Sequence, residues 1–228
     1  MPNTNSTPPL LVTEIFHSIQ GEGSHAGVPY VFVRLTGCNL RCTYCDTSYA
    51  FKGRAKMSIP EILEKIAEFG CKNILLTGGE PLLQRGSIEL CERLIESEYS
   101  LSIETHGEIS ISKVPQAARI IMDIKTPSSG MSRGGFKKNL PHLKPQDEIK
   151  FVIASKEDYE WAKDLVESRS LPPVTVLFSA AQKASNSPGK IAPVELRWLA
   201  EKILEDRLPV RLQIQLHKLI WGPDLRGV

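Results

Sequence analysis

Three cysteines stand close together in the stretch Thr36-Gly37-Cys38-Asn39-Leu40-Arg41-Cys42-Thr43-Tyr44-Cys45-Asp46-Thr47. Their C-x3-C-x2-C spacing puts Cys38, Cys42 and Cys45 on one tight loop. Three thiolates can grip three corners of an iron–sulfur cube, whose four irons usually take four cysteines. The fourth iron then stays open to a ligand that is not protein, as in a catalytic rather than a closed structural metal site. Half of a zinc site is the rival reading. Zinc wants four ligands, and His25 or Asp46 can supply the fourth. A disulfide framework fits poorly, because the cysteines number five and no secretory context accompanies them. Cys71 and Cys91 stand alone in helical or helix-flanking sequence and read as core packing.

Other chemistry-bearing residues follow apolar runs. Gly78-Gly79-Glu80-Pro81 comes directly after Asn73-Ile74-Leu75-Leu76-Thr77. Gln20-Gly21-Glu22-Gly23 comes after Leu11 to Ile19, and glycines at that density mark a loop that turns tightly or approaches something closely. Glu104 to Gly107 ends another run, as do Lys125-Thr126-Pro127, Ser179 and His217-Lys218. In a parallel barrel the C-terminal ends of the strands share one rim, where active sites collect. Residues far apart in the chain would therefore converge on the cysteine loop, and that convergence points to an enzyme.

The elements that must position these groups are legible in part. Strands are expected over Leu11–Ile19, Val31–Leu35, Asn73–Thr77, Leu101–Glu104, Arg119–Ile124, Glu148–Ala154, Val174–Phe178 and Val210–Leu216. Ser58 and Glu61 match a capping box with Pro60 in the first turn, opening a helix that Gly70 stops. Further helices are expected over Ile88–Glu98, Glu157–Glu167 and Pro193–Leu204. The stretch from Ser128 to Pro145 is long enough for a lid or binding loop. Alternating strands and helices, with near-continuous apolar strands, imply an α/β fold around a parallel sheet buried on both faces. The strand count favours an incomplete barrel of about six βα units over a full barrel of eight.

At 228 residues the chain can build one sizeable core, against a prior of roughly 150 residues per domain. A single domain over residues 10–228 is expected, preceded by a disordered, Pro/Asn/Thr/Ser-rich tail over 1–9. Its 41% hydrophobic and 24% charged residues are those of a globular protein. A net charge of +2 with no basic stripe gives no footprint for direct nucleic-acid binding. No apolar run reaches membrane-spanning length, and the N-terminus has no signal-peptide core. A cytoplasmic location is expected, which suits reduced thiols.

The cysteine triad together with Gly78-Gly79-Glu80-Pro81 resembles the radical S-adenosylmethionine (SAM) superfamily. The resemblance implies a partial (β/α)6-type parallel barrel. It also implies a [4Fe–4S] cluster on Cys38, Cys42 and Cys45, and SAM chelating the open iron. One electron from the cluster would cleave SAM to a 5′-deoxyadenosyl radical that abstracts a hydrogen atom. More narrowly, Phe16 to Gly23, Arg34, Cys45-Asp46-Thr47 and Gln215 to Lys218 resemble the 7-carboxy-7-deazaguanine synthase family. Its members are lyases of queuosine-type 7-deazapurine biosynthesis. They contract 6-carboxy-5,6,7,8-tetrahydropterin to 7-carboxy-7-deazaguanine with loss of ammonia, using SAM catalytically with Mg²⁺.

Carried over by position, the resemblance implies that Ile19, Gln20, Gly21, Glu22, Thr77 and His217 line the pterin, and that Arg34 pairs with its carboxylate. Thr47 would bind Mg²⁺. Tyr44, Asp46, Gly79, Glu80, Glu104, Lys125, Thr126, Pro127, Phe178 and Ser179 would bind SAM, with Glu80 accepting from its ammonium. An electron donor such as flavodoxin or ferredoxin, and a homodimer, are the implied partners. Two alternatives remain at this level. One is an activase that installs a glycyl radical on a partner protein through the same cysteine loop. The other is a zinc-stabilised binding module without catalysis.

Overall fold

The computed structural model describes residues 8–52, 55–182 and 194–228. The expected tail lies outside the described residues except for Pro8 and Pro9, which are exposed and belong to no element. The architecture is one mixed sheet. β1 (Leu10–Ile19) runs antiparallel to β2 (Pro29–Leu35), and β3 (Ala55–Met57) runs antiparallel along the other side of β1. From β2 onward every pairing is parallel, through β4 (Asn73–Gly78), β5 (Ser100–Thr105), β6 (Arg119–Ile124), β7 (Glu148–Ile153), β8 (Thr175–Ala180) and β9 (Arg211–Gln213). The order β3-β1-β2-β4-β5-β6-β7-β8-β9 leaves β3 and β9 as edges, so the sheet stays open as expected of a partial barrel.

Period-two alternation sorts each parallel strand into two faces. Val31, Val33 and Leu35, Ile74 and Leu76, Met122 and Ile124, Phe151 and Ile153, and Phe178 belong to the main core. Helices close over that face: α1 (Ile59–Ala67), α2 (Ser87–Glu96), α3 (Lys156–Glu167) and α4 (Leu196–Glu205) contribute Ile62 and Ile66, Leu90 and Leu94, Tyr159 and Ala162, and Leu199 and Ile203. The capping box forms as read: Ser58 Oγ accepts from Glu61 N (3.4 Å), and Glu61 Oε2 accepts from Ser58 N (2.7 Å). Cys91 is fully buried in the core, and half-buried Cys71 packs at its margin. On the opposite face Tyr30, Phe32, Leu75 and Ile121 form a small cluster. The residues that follow Phe32, Leu75 and Ile121 by two positions are Arg34, Thr77 and Asp123.

Two expectations need correction. The last strand stops at Gln213 rather than Leu216, and Leu216–Trp221 is a short helix, α5. Alternation continues through Val210-Arg211-Leu212-Gln213-Ile214-Gln215-Leu216, but β8 offers partners only to Arg211–Gln213. The chain from Ser128 to Pro145 is not a lid over the site. It folds into short 3-10 turns, with Phe136 buried edge-on against Trp161 and Asn139 Nδ2 donating to the carbonyls of Gly107 (2.8 Å) and Ile109 (2.7 Å). None of its residues lines the cavity described next.

Candidate active site

The inner face of the sheet and the loops at the C-terminal strand ends enclose a cavity of about 220 Å³. Because β1 runs antiparallel, its end lies at the opposite pole of the barrel. The loop from Gln20 to Val28 therefore closes the cavity from below. Backbone bonds tie that loop to itself and to the C-terminal segment: Gln20 N to Val28 O (2.8 Å), Gly27 N to Gln20 O (2.8 Å), and Leu216 N to Gly21 O (2.9 Å). A Cβ on Gly21 would lie 2.0 Å from His217 Nδ1, so only glycine admits this packing.

At the upper end the three cysteines line one wall. Thr43 anchors their loop to the end of β6, donating from N to Ser129 O (3.1 Å) and from Oγ1 to Ser128 O (2.7 Å); Tyr44 Oη lies 3.0 Å from Thr126 Oγ1. The Gly78-Gly79 turn presses on the loop from the other side. A Cβ on Gly79 would lie 2.4 Å from Gly37 O and 2.7 Å from Cys38 Cβ. Glu80 N donates to Gly37 O (2.8 Å). Burial pushes all three thiols up, Cys45 to about 11, so ligation of a metal cluster would release their protons. Among the described residues no three His, Cys, Asp or Glu side chains converge on a point that would hold a single ion. His25 does not line the cavity and its ring contacts the Tyr30 hydroxyl, while Asp46 is taken by Lys218. The thiol set thus fits a cluster held at three corners better than one zinc ion.

Glu80 does not reach the cavity. It is fully buried and caps the turn that follows it, accepting from Leu82 N (3.0 Å), His106 N (3.0 Å) and Thr105 Oγ1 (2.9 Å). Burial lifts its carboxyl to about 7 against those hydrogen bonds. His106 lies beside it, with Nε2 2.9 Å from Asn39 Oδ1 and Nδ1 accepting from Glu108 N (3.0 Å). Burial, then the positive charge of Lys125, depresses His106 to about 4. The ring is therefore neutral near pH 7, and its bonding assigns the proton to Nε2.

Below the cysteines the wall is charged. Lys150 Nζ, on a side chain only 4% exposed, bonds Glu22 Oε2 (2.6 Å), Glu104 Oε1 and Asp123 Oδ2 (3.1 Å). Burial alone would lower this lysine, but Asp123, Glu104 and Glu22 raise it well above its ordinary value. Burial would raise Glu22, yet Lys150 and then His217 hold its carboxyl at about 2. Gln213 and Gln215 donate to the two oxygens of Glu22 (3.1 and 2.7 Å). Lys125 pairs with the other oxygen of Asp123 (3.0 Å). Lys218 joins Asp46 Oδ2 (2.6 Å) to Gln215 Oε1 (2.7 Å), and Thr47 Oγ1 donates to Asp46 Oδ1 (2.8 Å). On β2, Arg34 Nε donates to Glu14 (2.7 Å), which also accepts from Tyr49 Oη (2.8 Å). The register irregularity between Val12 and Glu14 sets Glu14 opposite Arg34. Among the described residues the terminal guanidinium nitrogens of Arg34 make no hydrogen bond.

The structure thus gathers Ile19, Gln20, Gly21, Glu22, Arg34, Cys38, Cys42, Tyr44, Cys45, Asp46, Thr47, Thr77, Gly79, Glu104, Lys125 and His217 around one cavity. It does not bring Glu80, Thr126, Pro127, Phe178 or Ser179 to that wall. Phe178 faces the main core, edge-on to Phe151 and Tyr159, because its strand parity is that of Val176 and Ala180. Thr126 is buried, donating to Val152 O (3.0 Å), and Pro127 is exposed. His217 sits on α5, not at a strand end. Sequence reasoning missed Asp123 and Lys150, and it singled out Gln215 and Lys218 only as part of the C-terminal stretch, without a role for either. A lysine inside Ile149-Lys150-Phe151, and an aspartate inside Met122-Asp123-Ile124, were the available signals.

Comparison with known proteins agrees with this geometry. A family model described as the radical SAM superfamily matches residues 32–168. The 7-carboxy-7-deazaguanine synthase of Koribacter versatilis is 44% identical over 227 residues, covering 96% of this chain and 100% of the relative. That of Chlorobaculum tepidum is 42% identical, covering 96% and 98%. Among solved structures, the crystal structure of QueE from Escherichia coli superposes with a TM-score of 0.69 at 21% identity, over 92% of this chain and 95% of that one. A radical SAM methyltransferase from Sphaerobacter thermophilus gives 0.59 at 15% identity, over 87% and 71%. The two structures share the fold; the family match and the near-full-length relatives place the chain in the radical SAM superfamily and, within it, among the 7-carboxy-7-deazaguanine synthases.

Proposed function

We propose that the chain converts 6-carboxy-5,6,7,8-tetrahydropterin to 7-carboxy-7-deazaguanine with release of ammonia, in 7-deazapurine (queuosine) biosynthesis. The observation that carries this reading is the pairing, in one cavity, of three cysteine thiols with a guanidinium and a set of ionised carboxylates. Cys38, Cys42 and Cys45 would hold a [4Fe–4S] cluster, and Tyr44, Asp46, Gly79 and Lys125 would bound SAM beside it. Together these groups supply hydrogen-atom abstraction at carbon when bound.

The remaining residues bind and orient the substrate. Arg34 presents its terminal N–H groups to the carboxylate of the pterin, and Glu14 and Tyr49 hold the guanidinium in place. Glu22, kept ionised by Lys150, accepts from the N–H groups of the pterin ring, and Glu104 stands beside it on the same ammonium. Thr47 would supply a hydroxyl oxygen to Mg²⁺, which prefers oxygen ligands. Neutral His217 and the Gln20 amide close the floor. A small electron-transfer protein such as flavodoxin or ferredoxin delivers the electron, and the chain works as a homodimer in the cytoplasm. Among the described residues no helix is long and apolar enough to cross a membrane.

The test is anaerobic turnover. The protein is reconstituted with iron and sulfide, reduced, and given the pterin, SAM and Mg²⁺, and products are followed by mass spectrometry. 7-Carboxy-7-deazaguanine in excess over SAM consumed is the expected outcome. Cleavage of SAM with the pterin untouched would remove the substrate assignment.

A further inference from the structure

The loop that carries Gln20 and Glu22 is itself held by a group outside the cavity. Glu148 opens β7 two residues before Lys150, so both side chains occupy the inner face, with Glu148 at the opposite pole from the cysteines. It is fully buried, does not line the cavity, and neither the sequence pattern nor the family resemblance gives it a role. Its Oε1 accepts from Ser24 N (2.9 Å) and from Ser24 Oγ, and is paired with Arg119 Nη2 (2.6 Å). Its Oε2 is buried and accepts no hydrogen bond from the described residues. That oxygen packs against the loop backbone instead: a Cβ on Gly23 would lie 2.7 Å from it, and Gly23 already has φ +74°.

The loop has three holding points, on Gly21, Gly23 and Ser24. Gly21 O accepts from Leu216 N (2.9 Å), Gly23 N donates to Gln213 Oε1 (2.6 Å), and Ser24 N donates to Glu148. Glu22 stands between these points, so fixing the backbone on both sides aims its side chain at Lys150. Glu148 supplies the charged member of the set. We propose that Glu148 is a positioning residue, which pins the loop in the conformation that presents Gln20 and Glu22 to the substrate. The inference rests on the proposed reading of the cavity floor as the pterin site. A carboxylate is needed at this position because one oxygen must satisfy a backbone N–H, a hydroxyl and a guanidinium at once, and charge-assisted bonds of this kind are the strong ones.

The test compares wild type with Glu148→Gln in the reconstituted enzyme, and reads amide hydrogen exchange over residues 20–28 in the same proteins. Expected is a KM for the pterin raised roughly tenfold to a hundredfold, the size of losing a hydrogen bond to a charged group. The kcat and SAM affinity should stay near wild type, and exchange protection should be lost at Ser24 and its neighbours only. Ser24→Ala removes the hydroxyl contact without unpairing Arg119, and should shift KM in the same direction by less. An unchanged KM in both variants overturns the proposal, whatever the exchange shows. So does a uniform loss of protection across the sheet with kcat lowered and KM unchanged, which is the mark of a merely structural residue. If wild type itself leaves the pterin untouched, the substrate reading fails, and local loss of protection in Glu148→Gln still decides whether the latch exists.

Discussion

Lys150 answers three carboxylates with one ammonium. Removing it would leave Glu22, Glu104 and Asp123 facing each other across a largely enclosed space with Lys125 as the nearest remaining cation. Breaking a buried ion pair from one side costs about 3–5 kcal/mol. Lys150→Met, which keeps the length and the packing of the stem, should lower the unfolding free energy by that amount at pH 7.5 in urea titrations. The deficit should shrink at pH 5, where the stranded carboxylates take up protons. An equal deficit at both pH values would mean that the lysine contributes packing rather than charge. Two of the three groups the ammonium binds were visible in the sequence, since Glu22 and Glu104 sit at the ends of apolar runs. Lys150 and Asp123 were not, because each lies inside a run whose neighbours all read as core. In isolation a buried lysine looks like an interruption, and only the curvature of the sheet shows that it has partners on three other elements. Glu80 erred in the opposite direction. It stands in a motif that suggests ligand contact, yet the 3-10 turn it caps draws its carboxyl inward to Leu82, Thr105 and His106.

Two short segments from different βα units form the upper wall, and glycine is what lets them touch. Gly37 at φ +98° turns the chain into the cysteine loop, and Gly79 passes so close that a methyl group would meet both Gly37 O and Cys38 Cβ. Both obstacles belong to backbone or to the root of a side chain, so neither can swing aside. Gly79→Ala should therefore cost about 1–3 kcal/mol of stability, as overpacking does. It should also displace Cys38 enough that iron and sulfide uptake falls below that of wild type. Circular dichroism should show an intact fold, while iron analysis and visible absorbance show the missing cluster. A fully loaded Gly79→Ala protein would mean that the loop can move without loss. At this scale the sequence was informative wherever a local rule sufficed. The Ser58–Glu61 box opened α1, and the near-continuous apolar runs of β4, β6 and β7 marked them as buried strands of a parallel sheet. It failed where the answer depends on a neighbour. The run from Val210 to Leu216 alternates like a strand, but β8 ends beside Gln213, and the freed chain turns so that Gln215 and Lys218 enter the cavity. No periodicity in the run itself carries that information.

The whole molecule should be stable on a plateau that breaks sharply in acid, and the reason is a cancellation between neighbours. Glu22 is held at about 2 against a usual 4.5, and Asp46 and Asp123 are also depressed. Groups whose folded pKa lies below the unfolded one stabilise the protein above the unfolded value and lose that contribution as pH falls toward the folded one. The share of Glu22 alone is about 3 kcal/mol, lost between pH 4.5 and 2. Glu80 and His106 act higher and in opposite senses. Glu80 at about 7, raised from 4.5, binds more protons when folded, so its contribution falls as pH rises across that interval. His106 at about 4, lowered from 6.5, binds fewer protons when folded, so its contribution grows as pH rises from 4 to 6.5. The two overlap from pH 4.5 to 6.5 and largely offset each other there. Urea unfolding of the cluster-free protein between pH 3 and 8 should therefore give nearly constant stability above about pH 5 and a steep decline below 4.5. His106→Gln keeps the backbone N–H that Glu80 accepts from and deletes the rising contribution. Its stability should fall steadily from pH 4.5 to 7, where wild type is flat. A flat His106→Gln profile would show that Glu80 ionises normally in the folded chain. The turn that links the cysteine loop to the end of β5 would then rest on an ionised carboxylate held by its hydrogen bonds.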